Sequence, residues 1–474
     1  MAIGSSSSPL SITNKQRVYL VLSFLPLGIL LLGYNHWNGS EINFPWISAL
    51  EINFHLHIDS ISLLFVTLTA LIIPVAIYVG PTDARSSPFY FLTFLLQGFL
   101  FILFTTRDLV LFTISWEAIL LPLYFIITLK GGENRQKAAL QFLVYMIAGS
   151  ALLVAAVLGL YITSPEPTFN FDKLALYAAQ NTYAPVFFAI FMLAFAVKTP
   201  LFPFHGWLPD TYMRAPFAGT ILLSALLSKA GIYGIARIGY EFFPTLITQY
   251  SPVLLSLAIV GALYGAIAAW TQNDFKRLIA YSSFSHVNFI LAGLFISTEM
   301  SLQGAVLQAF NHGITITALF LVAYWLKQRV GTTSIDTVGG AAKSYTRLFW
   351  LTLFFVFASI ALPSTSNFVG EFIILLALFK KNAWLAALLT LTVILSAMYM
   401  LRWMEKVYFG ESRGLDQESS SLSKDLGLKE LAVALPLAAI ILGIGIFPGP
   451  VLNELKPTVE KLTALPTFLA KETL

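Results

Sequence analysis

The sequence contains no cysteine and few charged residues. None of its 474 residues is cysteine, and only 11% are Asp, Glu, Lys or Arg. Without thiolates the chain cannot form a disulfide, a thiolate zinc site or a cysteine-held iron–sulfur cluster. Soluble proteins carry about 25% charged residues, so this chain has too few to cover a water-exposed surface. The composition excludes a soluble enzyme, a disordered chain and a nucleic-acid-binding protein, despite a pI near 9.0.

Apolar residues dominate instead. They make up 57% of the chain, the mean hydropathy is +0.78, and thirteen apolar runs are long enough to cross a ~30 Å hydrocarbon core. These runs do not alternate between apolar and polar residues as barrel strands do. We therefore predict an all-α polytopic membrane protein with about thirteen transmembrane helices. The predicted spans are 17–34, 58–80, 89–105, 108–128, 137–161, 183–200, 218–243, 252–270, 275–297, 302–326, 346–380, 382–407 and 429–452.

Two of these runs contain helix-breaking residues. Residues 198–216 include Pro200, Pro203 and Pro209, and residues 362–371 include Pro363 among small hydroxyl residues. A proline inside a helix removes an amide donor and clashes with the preceding turn. Broken helices at membrane depth persist where protein or an aqueous cavity satisfies the freed backbone groups. We predict a broken helix in each segment.

The two breaks also suggest an internal repeat. Each falls in a block of five predicted spans, and an odd number of spans reverses direction through the bilayer, so the blocks would be inverted copies. Inverted repeats with paired broken helices are typical of transporters; two unrelated proline kinks are the alternative. The predicted division is N-terminal helices over 1–88, a first half-channel over 89–243, a second over 252–407, and a C-terminal helix and tail over 408–474.

Loop charges predict the orientation. With thirteen crossings, eighteen lysines and arginines fall on the side of the N-terminus and eight on the opposite side. We call these side one and side two. Because positive loops stay on the cytoplasmic side, side one is predicted to be cytoplasmic, stromal or matrix. Two lysines fall inside apolar runs and belong to neither side.

Ionisable residues inside the predicted spans are the candidate functional site. A charge at the bilayer centre costs ~2.5–3.5 kcal/mol on insertion scales and usually marks an ion or proton path. Any one of them could instead be a structural ion pair or a buried, hydrogen-bonded histidine. His55 and His57 resemble a metal pair, but without a third ligand we expect interfacial residues. The predicted proton relay consists of Glu117, Lys198, Lys229, His286, His312 and Glu371.

Several motifs resemble a known family. They are Phe195-Ala-Val-Lys198-Thr-Pro200, His205-Gly-Trp-Leu-Pro-Asp210, Leu278-Ile-Ala-Tyr-Ser-Ser283 and Ser366-Asn-Phe-Val-Gly-Glu371. They are similar to the antiporter-like membrane subunits of respiratory complex I, above all to the M-type subunit. The resemblance covers about residues 53–410, and all six relay residues match family positions. Residues 166–172 and 208–211 lean toward the cyanobacterial and plastid branch.

The resemblance implies a proton-translocating membrane-arm subunit of a complex I-like NAD(P)H- or ferredoxin:quinone oxidoreductase. It implies no cofactor in this chain, with flavin, iron–sulfur clusters and quinone in partner subunits. Expected partners are other membrane-arm subunits, including antiporter-like ones, and lipids, in a thylakoid, bacterial plasma or mitochondrial inner membrane. Protons would enter from side one toward Lys229 and His286 and leave by Glu371, with a Glu117–Lys198 pair as the gate. The alternatives are a subunit of a multisubunit cation/proton antiporter and a non-pumping structural subunit.

The chain departs from the family at two places. One helix rather than two is expected before the Phe54…Asp59 motif, so the first family helix is expected to be absent. After Asp210, Tyr212 and Arg214 stand where the family commonly has histidine and an acidic residue or glutamine. This second departure weakens the expectation of proton entry at that loop.

Overall fold

The fold was analysed on a computed structural model that describes residues 13–83, 86–413 and 424–472. Arg85, which the loop-charge prediction counts, and the N-terminal residues lie outside these ranges. The first part of the chain forms α1 (Asn14–Ser23), α2 (Leu25–Leu32), α3 (Tyr34–Trp37), β1 (Glu41–Ile47), β2 (Ile52–His57), α4 (Ser60–Val79), α5 (Ser87–Thr105), α6 (Leu109–Ala118), α7 (Leu120–Lys130) and α8 (Arg135–Thr163).

The middle part contains α9 (Phe171–Gln180), α10 (Ala184–Lys198), α11 (Leu208–Arg214), α12 (Phe217–Leu222), α13 (Ser228–Gly234), α14 (Tyr240–Phe242), α15 (Pro244–Gln249), α16 (Ser251–Trp270), α17 (Phe275–Phe295) and α18 (Glu299–Val330). The last part contains α19 (Ala341–Ser344), α20 (Thr346–Ser359), α21 (Ser366–Lys381), α22 (Ala383–Tyr408), α23 (Leu428–Ile446) and α24 (Gly449–Glu472).

The helical membrane fold is confirmed. In the described ranges, eleven helices are long and apolar enough to cross a membrane, and two shorter apolar helices cover Ala184–Lys198 and Thr346–Ser359. Each of these two helices ends at one of the predicted breaks. The most deeply buried spans are Phe217–Phe242 and Glu299–Val330, whose best windows are wholly buried. They form the centre of the bundle, and they carry Lys229 and His312.

Both broken helices are present, but their bounds differ from the prediction. The first break contains a short helix, α11, because Pro209 falls in its first turn, where no amide donor is needed. The second break is shorter than predicted. Pro363 is the only residue there without an amide hydrogen. Ala361 and Ser364 take positive φ angles of 57° and 75°. The next helix, α21, begins at Ser366. Glu371 therefore lies in a regular helix.

Several elements were not predicted. A two-stranded antiparallel hairpin, β1–β2, fills the polar stretch before α4, and α9 lies between two spans. The predicted last span, 429–452, is wrong at its end: α23 stops at Ile446, because Pro448 follows the turn. The next helix, α24, packs against α18 and α4 through buried Leu455, Val459 and Leu462.

A cluster of ion pairs holds the bundle together at the side-two end. The Arg237 guanidinium contacts the Asp59 carboxylate, and its Nη1 lies 3.4 Å from Glu241 Oε1. Arg107 bridges Glu241 at 2.8 Å and Asp172 at 2.5 Å. The cluster thereby joins the start of α4, the loop before α6, α9 and α14, and it lines a cavity of about 340 Å³.

The charge of Asp59 is fixed near neutral pH. Burial raises the pKa of Asp59, but the charge and hydrogen bond of Arg237, the Ser62 amide and the Arg107 charge together lower it to about 2. Because this pKa lies below the unfolded value of ~3.9, the stabilisation is complete above that pH and is lost only as the pH falls toward 2. Asp59 therefore stays ionised near neutral pH and serves as an anchor.

Replacing Arg237 by methionine should destabilise the protein strongly. Asp59 would keep a buried charge without its arginine partner, while Glu241 would keep Arg107. Removing one member of a buried pair costs ~3–5 kcal/mol. Thermal unfolding in detergent measures the loss. Lys406→Met is the control, because Lys406 and Asp336 are 40% and 47% exposed, and an exposed pair contributes about 1 kcal/mol at most. Equal losses for the two variants would contradict the anchoring role.

Candidate proton-relay site

Lys229 lies in a span whose helix is interrupted twice. Two π-helical turns, Leu223–Leu227 and Ile235–Gly239, flank α13. Such turns are rare and frequently occur at functional sites. The Lys229 side chain is fully buried, and its Nζ donates to the Ser224 carbonyl at 2.8 Å and lies 3.3 Å from Ser228 Oγ.

A line of buried titratable groups continues from Lys229 across the bundle. Lys229 Nζ lies 2.7 Å from His312 Nδ1 on α18. The His312 ring is 5.9 Å, centroid to centroid, from the His286 ring on α17. His286 Nδ1 then lies 3.1 Å from Glu371 Oε1 on α21. Four of the six predicted residues, from four helices, thus form one line.

One member of this site was missed. Gln308 Nε2 donates to Glu371 Oε1 at 3.1 Å, on the same oxygen that faces His286. The sequence did carry a signal, since Gln308 precedes His312 by one helical turn and shares its face. Gly370 permits the contact, because a Cβ there would lie 2.3 Å from Gln308 Oε1.

Lys198 and Glu117 lie apart from this line. They form no direct salt bridge, although the Glu117 charge acts on Lys198, and their role as a gate stays a prediction. Lys198 Nζ donates to the Trp116 carbonyl at 2.7 Å and lies 3.7 Å from the centroid of the Trp116 ring. Within the described ranges Glu117 joins no ion pair, and its Oε1 is buried without a hydrogen-bond partner. The reason is local: α6 ends at Ala118, just before α7 and Pro122, and carbonyls in a last helical turn lack intrahelical donors. Lys198 therefore binds such a carbonyl and the adjacent ring.

The Lys198 and Lys229 regions meet at a glycine. Thr199 directly follows Lys198, and Gly231 lies two residues after Lys229. A Cβ on Gly231 would lie 1.8 Å from Thr199 Oγ1 and 3.1 Å from the Thr199 amide nitrogen. Only glycine permits this approach of α13 to the first broken helix.

The histidines before α4 do not form a metal site with other described residues. His55 Nε2 lies 2.6 Å from Glu41 Oε1 across the hairpin, and His57 lines the side-two cavity. Burial lowers the pKa of His57. No group of three or more potential metal ligands occurs in the described part of the chain. The interpretation of His55 and His57 as interfacial residues stays a prediction.

These features define a class of protein. The chain is a polytopic helical membrane protein in which two broken helices flank a buried line of lysine, histidine and glutamate. Buried ionisable groups that face a bundle interior are characteristic of ion and proton translocation.

The family follows from comparison with known proteins. The family described as "NADH:quinone oxidoreductase/Mrp antiporter, TM" matches residues 106–396, which is more than half of the chain. The chain therefore belongs to this family, and the resemblance predicted from the motifs is confirmed.

Curated relatives of this chain support the same family assignment. Subunit M of NADH-quinone oxidoreductase from Escherichia coli strain K12 is 34% identical over 433 residues, covering 89% of this chain and 84% of that protein. Its counterpart from Mycobacterium tuberculosis strain H37Rv is 35% identical over 457 residues, covering 88% and 82%.

Solved structures share the fold. A chain of respiratory complex I from Thermus thermophilus with bound NADH matches with a TM-score of 0.84 and 34% identity, covering 95% of this chain and 98% of that one. A chain of the Mrp complex from Dietzia sp. DQ12-45-1b also gives 0.84, covering 96% and 94%. At 22% identity, this second match shows the fold alone.

Gly231→Ala should disturb the contact between the two lysine regions. The added methyl group must push α13 away from Thr199, and overpacking of this kind costs ~1–3 kcal/mol. The measurements are thermal unfolding and the yield of assembled complex, and Thr199→Ala should partly rescue both.

Gly98→Ala provides the matched control. Gly98 is also helical, but a Cβ there would meet nothing within 4 Å, so this variant should keep normal stability. A Gly231→Ala protein as stable as Gly98→Ala would refute the close-approach argument.

Proposed function

We propose that this chain is a proton-translocating membrane-arm subunit of a complex I-like quinone oxidoreductase, and that its partners are other membrane-arm subunits. Its relatives named above are NADH-quinone oxidoreductase subunits at 34–35% identity. The observation that carries the proposal is the line from Lys229 through His312 and His286 to Glu371. The sequence has no cysteine, so cysteine-held redox clusters must lie in partner subunits. We assign flavin and quinone to partner subunits as well.

The proposed relay works by successive proton transfers. Lys229 donates its proton to His312 Nδ1 across their 2.7 Å contact. Histidine carries protons readily near neutral pH, because it accepts at one ring nitrogen and donates from the other. The 5.9 Å between the two histidine rings requires ring rotation or one bridging water. His286 then protonates Glu371 at 3.1 Å.

Glu371 is the proposed exit group. It lies near the start of α21, whose C-terminal lysines Lys380 and Lys381 belong to the predicted side two. Gln308 Nε2 donates to Glu371 Oε1 at 3.1 Å, and His286 Nδ1 lies 3.1 Å from the same oxygen. The Glu371 carboxyl group is therefore placed to take a proton from His286 at the end of the line.

Lys198 and Glu117 are proposed to modulate loading of the line. The Lys198 ammonium group is stabilised by the Trp116 carbonyl and ring. Movement of Glu117 toward or away from Lys198 would change the cost of that charge. Thr199, packed on Gly231, provides a direct mechanical contact between this lysine and the Lys229 helix.

Loop charges and two short segments bear on the membrane orientation and on the branch of the family. We infer that side one is cytoplasmic or stromal and that the chain belongs to the cyanobacterial and plastid branch, with ferredoxin as donor and plastoquinone as acceptor in a thylakoid membrane. The support is the loop-charge bias and two short segments, 166–172 and 208–211. Copurification with hydrophilic quinone-reductase subunits supports this proposal, whereas sodium-dependent exchange without them supports an antiporter.

Lys229→Met and Glu371→Gln should each uncouple proton transport from electron transfer. Both variants keep the approximate side-chain volume but remove the titratable group, so the assembled complex should move fewer protons per electron. The ratio is measured with complex reconstituted in liposomes, and Lys406→Met is the surface control. If both variants assemble normally and move as many protons per electron as the wild-type complex, the line from Lys229 to Glu371 has only a structural role.

A further inference from the structure

A third buried lysine lies at the side-one end of the same bundle. Lys276 is the second residue of α17, and it is 5% exposed. Its Nζ donates to the Ala215 carbonyl at 2.6 Å and to the Met213 carbonyl at 3.1 Å, and it lies 4.6 Å from the Phe217 ring centroid. Those carbonyls lie at the end of α11, within the first break.

The charge on Lys276 is poorly compensated. Of the ion pairs formed by the described residues, none includes Lys276. The nearby Asp274 carboxylate accepts from the Arg277 amide and from Thr333. A second cation, Lys327 on α18, lies over the same Phe217 ring at 5.8 Å.

The remaining charged and titratable groups at this end do not pair with Lys276 either. Arg277 faces Asp210 on α11 at 4.0 Å. The Tyr212 hydroxyl is fully buried and has no hydrogen-bond partner in the described ranges. Lys276 therefore lies beside a second cation, over the same aromatic ring, and without an ion-pair partner among the described residues.

A line of hydroxyl groups leads from this lysine to Lys229. Thr220 Oγ1 donates to the Tyr212 carbonyl at 2.9 Å, beside the carbonyls that bind Lys276. Ser224 and Ser228 follow at intervals of four residues, on one face of the span. Ser228 Oγ donates to the Ser224 carbonyl at 3.0 Å, and Lys229 Nζ donates to the same oxygen at 2.8 Å.

We propose that Lys276 is the proton-uptake residue on side one, and that Thr220, Ser224 and Ser228 guide the proton from it to Lys229. The ammonium group of Lys276 gives one proton to water held along the hydroxyl line, and Lys229 receives one. The neutral amine of Lys276 then takes a proton from the side-one solution. Entry thus uses a lysine beside the first break, in a chain where Tyr212 and Arg214 lie on α11. This inference rests on the proposed function.

The test compares Lys276→Gln and Lys276→Arg in the assembled, reconstituted complex. Glutamine keeps an amide that can donate to the Met213 and Ala215 carbonyls. Arginine keeps both donors and charge but does not release its proton. A lysine that only caps α11 is replaceable by either residue, whereas a proton carrier is replaceable by neither. Protons per electron are measured together with quinone reduction and assembly, with exposed Lys343→Gln as the control.

The expected result is that the Gln and Arg variants assemble and that their proton-to-electron ratio falls to that of the Lys229→Met complex. A wild-type ratio in either variant overturns the uptake role, and if one variant does not assemble, the other decides. A wild-type ratio in Lys229→Met would refute the relay itself. If the proton-to-electron ratio falls in Lys229→Met but stays normal in Lys276→Arg, only the uptake inference is refuted.

Discussion

The cost of keeping charge inside an apolar bundle is the constraint on which this structure depends. Lys198 and Lys229 are both buried, and each ammonium group must find oxygen, nitrogen or aromatic partners within the protein. The chain supplies these partners where helices are imperfect. Trp116 offers a carbonyl near the end of α6, and Ser224 offers one in a π-helical turn. Irregular backbone and buried charge therefore occur together.

The two kinds of charged group in the molecule serve different purposes. The side-two cluster pairs Arg237 with Asp59 and Glu241, and the Asp59 carboxylate stays ionised near neutral pH. Along the central line, by contrast, Lys229 contacts His312 and His286 contacts Glu371 through single hydrogen-bond distances, with no arginine at either contact. The ion-paired cluster and the central line therefore occupy different parts of the bundle.

Sequence patterns predicted the spans well because membrane burial imposes strong rules, and the same patterns supplied the relay candidates, whose role stays a prediction. Proline at 200, 203 and 363 located both breaks, and an ionisable group in an apolar run is conspicuous. The partners of those groups were harder to predict. Lys198 contacts Trp116 instead of Glu117, because the end of α6 exposes a carbonyl, a tertiary effect that residue type does not reveal. Short polar elements such as β1–β2 and α9 give weak periodic signals, and π-helical turns give none.

The span from Phe217 to Phe242 is held at both ends. Near its start, the turn before Phe217 binds Lys276 through the Ala215 carbonyl, and near its end Arg237 and Glu241 are tied into ion pairs. Contacts at both ends of the span oppose sliding of the helix along its own axis. The two π-helical turns on either side of α13 are the irregular parts of this span. We therefore expect the segment between them to rotate about the helix axis, and such a rotation would reorient the Lys229 ammonium group.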